Sequence, residues 1–224
     1  MRMALVRGAV VAQVLFTAVW SVGGIAEGRG YRSSAHGISD LGARTADHAG
    51  LVLAAQGVAG VLTIAFALFA LGPALAAPGG RRPAGAWLVA ASPLGLDNVW
   101  DVLFRLDCRA ADPGCVQGLG SGSWQATGHL AISFVGFPVM VITPSVLAAH
   151  FRANPAWQGW SGGALAFSPV MFIGVIAFIG LHGHAGAGYA ERALALAASA
   201  GVVLLALGTR RALADGCARG PAVR

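Results

Sequence analysis

Two aspartates four residues apart, Asp97 and Asp101, flank Asn98 in an otherwise apolar stretch. On a helix this spacing puts both carboxylates on one face, and Arg105 continues the stripe one turn further on. Asp101 is placed to pair with Arg105, whereas Asp97 has no partner within its own segment. Later, Thr127-Gly128-His129 opens another apolar run, with Ser133 one turn below His129. Carboxylates in different settings beside an imidazole are what general acid–base chemistry needs. A buried Asp97 favours its neutral form and can hold a proton, a solvated Asp107 stays ionised, and His129 can shuttle a proton or ligate a metal. His129 and His182 are the candidate metal ligands, and also the pair a haem would use. A packed, hydrogen-bonded histidine is the alternative for His129, while His36, His48 and His184 read as solvated rim residues.

The elements that must position these groups are membrane helices. Of the 224 residues 56% are hydrophobic and 11% charged, with a mean hydropathy of +0.69; a soluble domain carries roughly 25% charged residues. The charges cluster between apolar runs of about twenty residues, the length that crosses roughly 30 Å of hydrocarbon. The spans are predicted at Leu5–Ala26, Leu51–Leu71, Ala84–Phe104, Thr127–Ala148, Gly162–Leu181 and Tyr189–Leu207. The fold class is therefore all-α: a single six-helix transmembrane domain over residues 1–208, followed by a basic cytoplasmic tail over 209–224. The first run is longer than the roughly 7–15 apolar residues of a signal peptide and reads as a retained helix. An ionisable group inside a span is costly, which makes Asp97 a functional candidate by default. Ser92-Pro93, one turn before it, is placed to kink the third span and free a carbonyl. Gln13, Thr17, Ser21, Gln56, His48, His129, His182 and His184 fall in the same half of the bundle as Asp97, so a polar, water-accessible cavity is expected there, open to the outside.

Orientation follows from arginine. There is no lysine, and the net charge of +6 comes from arginines at the ends of apolar runs. That is the distribution of topology determinants, not of a nucleic-acid surface; the partner is the lipid bilayer. Placing both termini, the Arg81-Arg82 turn and the Arg152 loop on one side gives that side nine arginines against six. The richer side is predicted to be cytoplasmic, in a plasma (inner) membrane. Cys108 and Cys115 then share an outer loop, where oxidising conditions permit a disulfide, while Cys217 stays reduced inside. All six tryptophans lie near span boundaries, as an interfacial belt requires.

The first outer loop reads Gly30-Tyr31-Arg32-Ser33-Ser34-Ala35-His36-Gly37-Ile38-Ser39-Asp40-Leu41-Gly42. With the six-span layout, this resembles the bacterial and archaeal membrane family called DUF998, whose first outer loop has a similar Tyr…Ile-Ser-Asp/Glu-Leu-Gly signature. The resemblance continues in the acidic stretch Asp107…Asp112-Pro113-Gly114, in Gly128-His129, and in Gly188-Tyr189-Ala190-Glu191-Arg192 at the last helix. Arg105-Leu106 stands where the family has Phe-Pro, and the two loop cysteines are not part of its pattern. The resemblance implies a fold and a site location. Physically, Ser39 or Asp40 can cap a short interfacial helix, or join Asp97, Asp101, Asp107 and His129 as catalytic groups.

Three functions are compatible with these residues. One is an enzyme acting on a lipid or isoprenoid substrate, a hydrolase or a terpene cyclase. The paired His, four residues apart in the last helix, of ceramidase-type hydrolases is missing; His182-x-His184 stands in its place. The second is a non-catalytic transporter, sensor or accessory subunit, and the third a haem-binding electron-transfer protein. No cofactor is identified from the residues.

The arginine asymmetry is tested by labelling introduced cysteines in intact cells with an impermeant maleimide. A cysteine at His184 should label, and one at Arg81 or Arg152 should label only after permeabilisation. Labelling at Arg81 in intact cells would invert the topology.

Overall fold

The computed structural model describes residues 1–28, 30–76 and 83–218, with side chains as far as Asp215. The Arg81-Arg82 turn, Arg29, Arg219, Arg224 and the Cys217 side chain lie outside the described residues. The described chain is helical, without strands: α1 (Arg2–Ala26), α2 (Ala49–Leu75), α3 (Ala84–Ala91), α4 (Asn98–Leu103), α5 (Trp124–Ala153), α6 (Ser161–Gly180) and α7 (Ala187–Ala218). Five helices among the described residues are long and apolar enough to cross a membrane: α1, α2, α5, α6 with the short turn before it, and α7. The third predicted span is instead broken into α3 and α4. α7 continues through Arg210 and Arg211 to Ala218, so residues 209–218 prolong the last helix.

The break has a local cause. A residue before proline is pushed out of the helical region, and Ser92 is extended (φ −68°, ψ 167°). Pro93 brings no N–H, so the ladder re-forms through a wide π turn over Pro93–Asp97. Ser92 Oγ donates to Val89 O at 2.8 Å, satisfying a carbonyl that the break releases. A second wide turn, Ala67–Leu71 in α2, sits just before Pro73, but there the preceding Gly72 stays helical (φ −53°, ψ −52°) and the helix continues. α1 stops where Glu27 turns extended, and α5 starts at an N-cap, Ser123, whose Oγ accepts from Ala126 N.

The helices close into a ring in chain order: α1 packs on α2, α2 on the broken α3–α4 segment, that segment on α5, α5 on α6, α6 on α7, and α7 back on α1. Small residues permit close approach, as in helix pairs in lipid. Ala9, Ala12 and Ala59 are buried between α1 and α2, while Gly60 of α2 faces the backbone of the π turn: a Cβ there would lie 2.7 Å from Gly95 O. One buried polar tie crosses the bundle. Gln13 Nε2 donates to Thr63 Oγ1 and Gln13 Oε1 accepts from Ser199 Oγ, both at 2.9 Å, which uses the α1 polar stripe to join α1, α2 and α7. The bundle has two distinct ends. One carries the loops with Asp40 and the cysteines and the start of α7. At the other, Asn154 Nδ2 and Trp157 Nε1 donate to carbonyls at the end of α2. Trp20 and Trp157 lie near these ends but are turned inward, 4% and 0% exposed, rather than standing in a belt.

Gly95 makes the π turn possible. A Cβ at this position would lie 2.2 Å from Ala90 O, a backbone atom that cannot swing aside. Gly95→Ala should destabilise the purified protein by about 1–3 kcal/mol, read as a fall in the melting midpoint. An unchanged midpoint would show that the turn adapts.

Candidate functional site

The loop end is built as a cap. Ile38-Ser39-Asp40-Leu41-Gly42 does form a short helix, a single 3-10 turn over Ser39–Gly42. The Glu191 carboxylate at the start of α7 faces its N–H groups at Ile38 and Ser39, with Oε2 buried and without a hydrogen-bond partner. The neighbouring Arg192 donates to the carbonyls of Ser33 and His36 (2.8 Å each) and Gly188 (3.0 Å), bonds the Tyr31 hydroxyl, and lies 5.7 Å from the Trp20 ring centroid. Burial pushes the Tyr31 phenol up to about 12, so it remains a donor to Gly37 O at 2.8 Å. Glycine is required at Gly188, where a Cβ would meet Ser33 O and His36 O at 2.4 Å each.

Asp40 then holds the second loop. It is 3% exposed; its Oδ2 accepts from Gly37 N (2.9 Å), and its Oδ1 from Ala110 N and Gln117 Nε2 (2.8 Å each). Around it, Arg109 bridges Glu27 and Asp112 at 2.7 Å each, and a disulfide joins Cys108 to Cys115. Asp107 accepts from Ser123 N at 2.6 Å and Ser123 Oγ at 2.7 Å, which fixes the start of α5. These two Ser123 bonds hold the Asp107 carboxyl below the usual carboxylate range, and the Arg109 guanidinium does the same for Asp112. Burial lowers His36, whose Nδ1 accepts from Arg32 N.

Beneath the cap lie the groups placed in the third and fourth spans. Asp101 does not pair with Arg105. The helix ends at Leu103, which swings Arg105 off the stripe; it donates instead to Gly42 O and Ala43 O at 3.0 Å each. Asp101 Oδ2 accepts from Gln56 Nε2 of α2 at 2.8 Å, and its Oδ1 lies 2.8 Å from His129 Nδ1 of α5. The same Nδ1 is 3.1 Å from Phe104 O, a carbonyl left over at the end of α4. Facing a carbonyl and a carboxylate, both acceptors, Nδ1 carries a proton, which leaves Nε2 as the ring atom for proton exchange. Trp100 Nε1 donates to Gly128 O, and the stacked Trp100–Phe104 pair meets Trp124 edge-on, fastening α4 to α5. Asp97, one turn before Asp101, is 9% exposed, and its Oδ1 has no hydrogen-bond partner. It lies within electrostatic reach of Asp101 and His129.

Asp97, Asp101 and His129 thus share one cluster. Asp40, Ser39 and Asp107 belong to the cap, where the oxygens of both aspartates are occupied by N–H and O–H donors. His182 is exposed, its ring edge-on to Phe178, while His129 is buried, so the structure does not join them as a ligand pair. Among the described residues no three His, Cys, Asp or Glu side chains gather to hold a metal. Sequence reasoning left two participants out of the site. Gln56 was visible as a lone amide in an apolar span; the Glu27–Arg109 pair, 82 residues apart, had no local signal. The cavity differs as well. At the loop end, beside Asp107 and Gln117, there is about 10 Å³, room for about one water. A larger cavity of about 290 Å³ is apolar and lies toward the Arg152 end, between α3 with the π turn after it, α5, α6 and α7, where Gly163, Ala164, Ala198 and Gly201 leave space.

The ring of apolar helices under a polar cap is that of a multi-pass helical membrane protein. Residues 10–208 match a family described as "Protein of unknown function (DUF998)", and the chain belongs to that family. No curated protein and no solved structure matches it.

The cap carboxylates give a pH prediction. Asp107 and Asp112 have lowered values in the folded state, so their contribution is fully present above the ordinary carboxylate value of about 4 and is lost as pH falls through the lower folded values. The melting midpoint should be flat from about pH 7 to 5 and drop below about pH 4, with a smaller drop in Asp107→Asn. An identical acid profile for that variant would mean that the Ser123 bonds contribute nothing.

Proposed function

We propose that this chain is a six-span plasma-membrane enzyme with both termini in the cytoplasm, acting on a lipid or isoprenoid substrate by acid–base chemistry at Asp97, Asp101 and His129. The observation that carries this reading is Asp97: a buried carboxyl without a hydrogen-bond partner, beside a histidine whose tautomer is already fixed. An unpartnered carboxyl is least costly to bury when neutral, which makes Asp97 the proton donor. Asp101 orients His129 and supports the imidazolium that forms when Nε2 accepts a proton, and Gln56 holds Asp101 in place. The cap, with Asp40 and Asp107, keeps water from the loop side. The broken α3–α4 segment counts as the sixth span: α3, the π turn and α4 together continue the alternation between the two ends, with the basic segment after residue 208 on the cytoplasmic side.

A non-catalytic transporter, sensor or accessory subunit is the second reading, favoured by the same helix break, since interrupted helices lining a cavity are how many transporters build their sites. One experiment separates the two. The purified protein in liposomes is incubated with total membrane lipid or with polyprenols, and products are followed by mass spectrometry. Asp97→Asn should melt like the wild type but convert substrate about 10²–10⁴-fold more slowly. Wild-type turnover in that variant would remove Asp97 from the chemistry, and no conversion by the wild type on any lipid would favour the second reading.

A further inference from the structure

The 290 Å³ cavity has a composition that specifies its occupant. Among the described residues no charged side chain lines it, and its few hydroxyls are turned to the backbone: Ser92 Oγ bonds Val89 O and Thr143 Oγ1 bonds Val139 O. Phe151, Trp160 and Phe167 contribute aromatic walls. Leu204 lines the cavity and is 50% exposed, so the space communicates with the outside of the bundle at membrane depth. An apolar cavity of this kind stays dry and takes apolar guests.

One polar demand stands at its edge. Pro93 forms part of the wall, and a Cβ on Gly136 would lie 3.2 Å from Pro93 Cγ and 3.5 Å from Asp97 Oδ2. Neither Asp97 nor Gly136 lines the cavity itself; the missing side chain at Gly136 leaves the Asp97 carboxyl behind the wall that Pro93 forms. Met140, one turn from Gly136 on α5, continues the lining.

We propose that this cavity binds a single hydrocarbon chain ending in a neutral hydrogen-bonding head, an alcohol, with the chain between α3, α5, α6 and α7 and the hydroxyl at Asp97. The proposal rests on the reading of Asp97 as the working group and adds the substrate class. The volume is at the lower end of ligand pockets, which run from about 300 to 1,000 Å³, so one chain fits and a two-chain lipid does not. With no arginine or histidine among the described lining residues, a phosphate head meets no counter-charge from them, whereas a hydroxyl both donates to and accepts from a carboxyl.

The test uses hexadecan-1-ol carrying a mid-chain diazirine, and its methyl ether, photolysed with the full-length protein in phosphatidylcholine nanodiscs. The alcohol should label peptides containing Met140, Phe167 or Val202, roughly tenfold more than the ether does. Asp97→Ala should remove that preference while leaving chain labelling. Ala198→Phe fills the cavity, and Gly163→Phe adds a ring where a Cβ meets no atom within 4 Å and so tolerates the change. Loss of labelling in either variant at an unchanged melting midpoint supports the site. Full labelling in both, or labelling confined to outward residues such as Phe172 and Ile173, overturns it; equal labelling by alcohol and ether overturns the role given to the head. Alcohol that binds here but is not converted would count against the enzymatic reading while leaving the binding site intact.

Discussion

Arg192 is the interaction on which the rest of the loop end depends. Its guanidinium gathers two carbonyls of the first loop, one of its own helix and the Tyr31 hydroxyl, while the Glu191 carboxylate beside it faces the N–H groups of the 3-10 turn. The turn presents Asp40, Asp40 holds Ala110 and Gln117, and the loop so held leads from Phe104, whose carbonyl fixes His129, to Ser123, which starts α5. A charge buried with a full set of acceptors is costly to replace, because removing one partner leaves the others unsatisfied. The geometry of the Asp101–His129 pair is thus inherited, through loops, from a residue on the last helix.

Much of this was legible in the residues. Apolar runs located the starts of the helical segments to within a few positions, since the bilayer enforces length and composition together, whereas the last helix runs well past Leu207 to Ala218. The family signature in the first loop and the Glu191-Arg192 pair marked the two halves of the cap, although nothing in either segment said that they meet. The break at Ser92-Pro93 was also readable, because proline acts on its immediate neighbour. What local pattern misjudged was partner choice. Asp101 and Arg105 have the right helical spacing, but the helix ends before Arg105, and Gln56, 45 residues away, takes the carboxylate. Long-range pairing leaves no periodic trace. The polar opening beside Asp107 and Gln117 is small for a related reason: the polar side chains bond one another, and the larger space among the described residues lies where small and apolar residues meet.

The broken third span links these observations. An uninterrupted helix would satisfy its own backbone and place Asp97 simply one turn before Asp101. The π turn instead brings the Gly95 carbonyl against Gly60 and puts Pro93 in the cavity wall. Irregular backbone at membrane depth is tolerated where protein or a cavity surrounds it, and both conditions hold here. The same few residues therefore separate a polar cluster from an apolar chamber, with Asp97 at the boundary.

The position of Arg192 in the chain also sets an order of assembly. Ser33 precedes it by 159 residues, and Tyr31 by 161. As the polypeptide emerges N-terminus first, the first loop must wait, its carbonyls and the N–H groups of Ile38 and Ser39 unclaimed, until the sixth helical segment is made. The second loop can close its Arg109–Asp112 clasp earlier, from residues three apart. The last helix acts as a latch, and a nascent chain stopped before it holds five helical segments around an unfinished cap, exposed to whatever quality control surveys that face of the membrane.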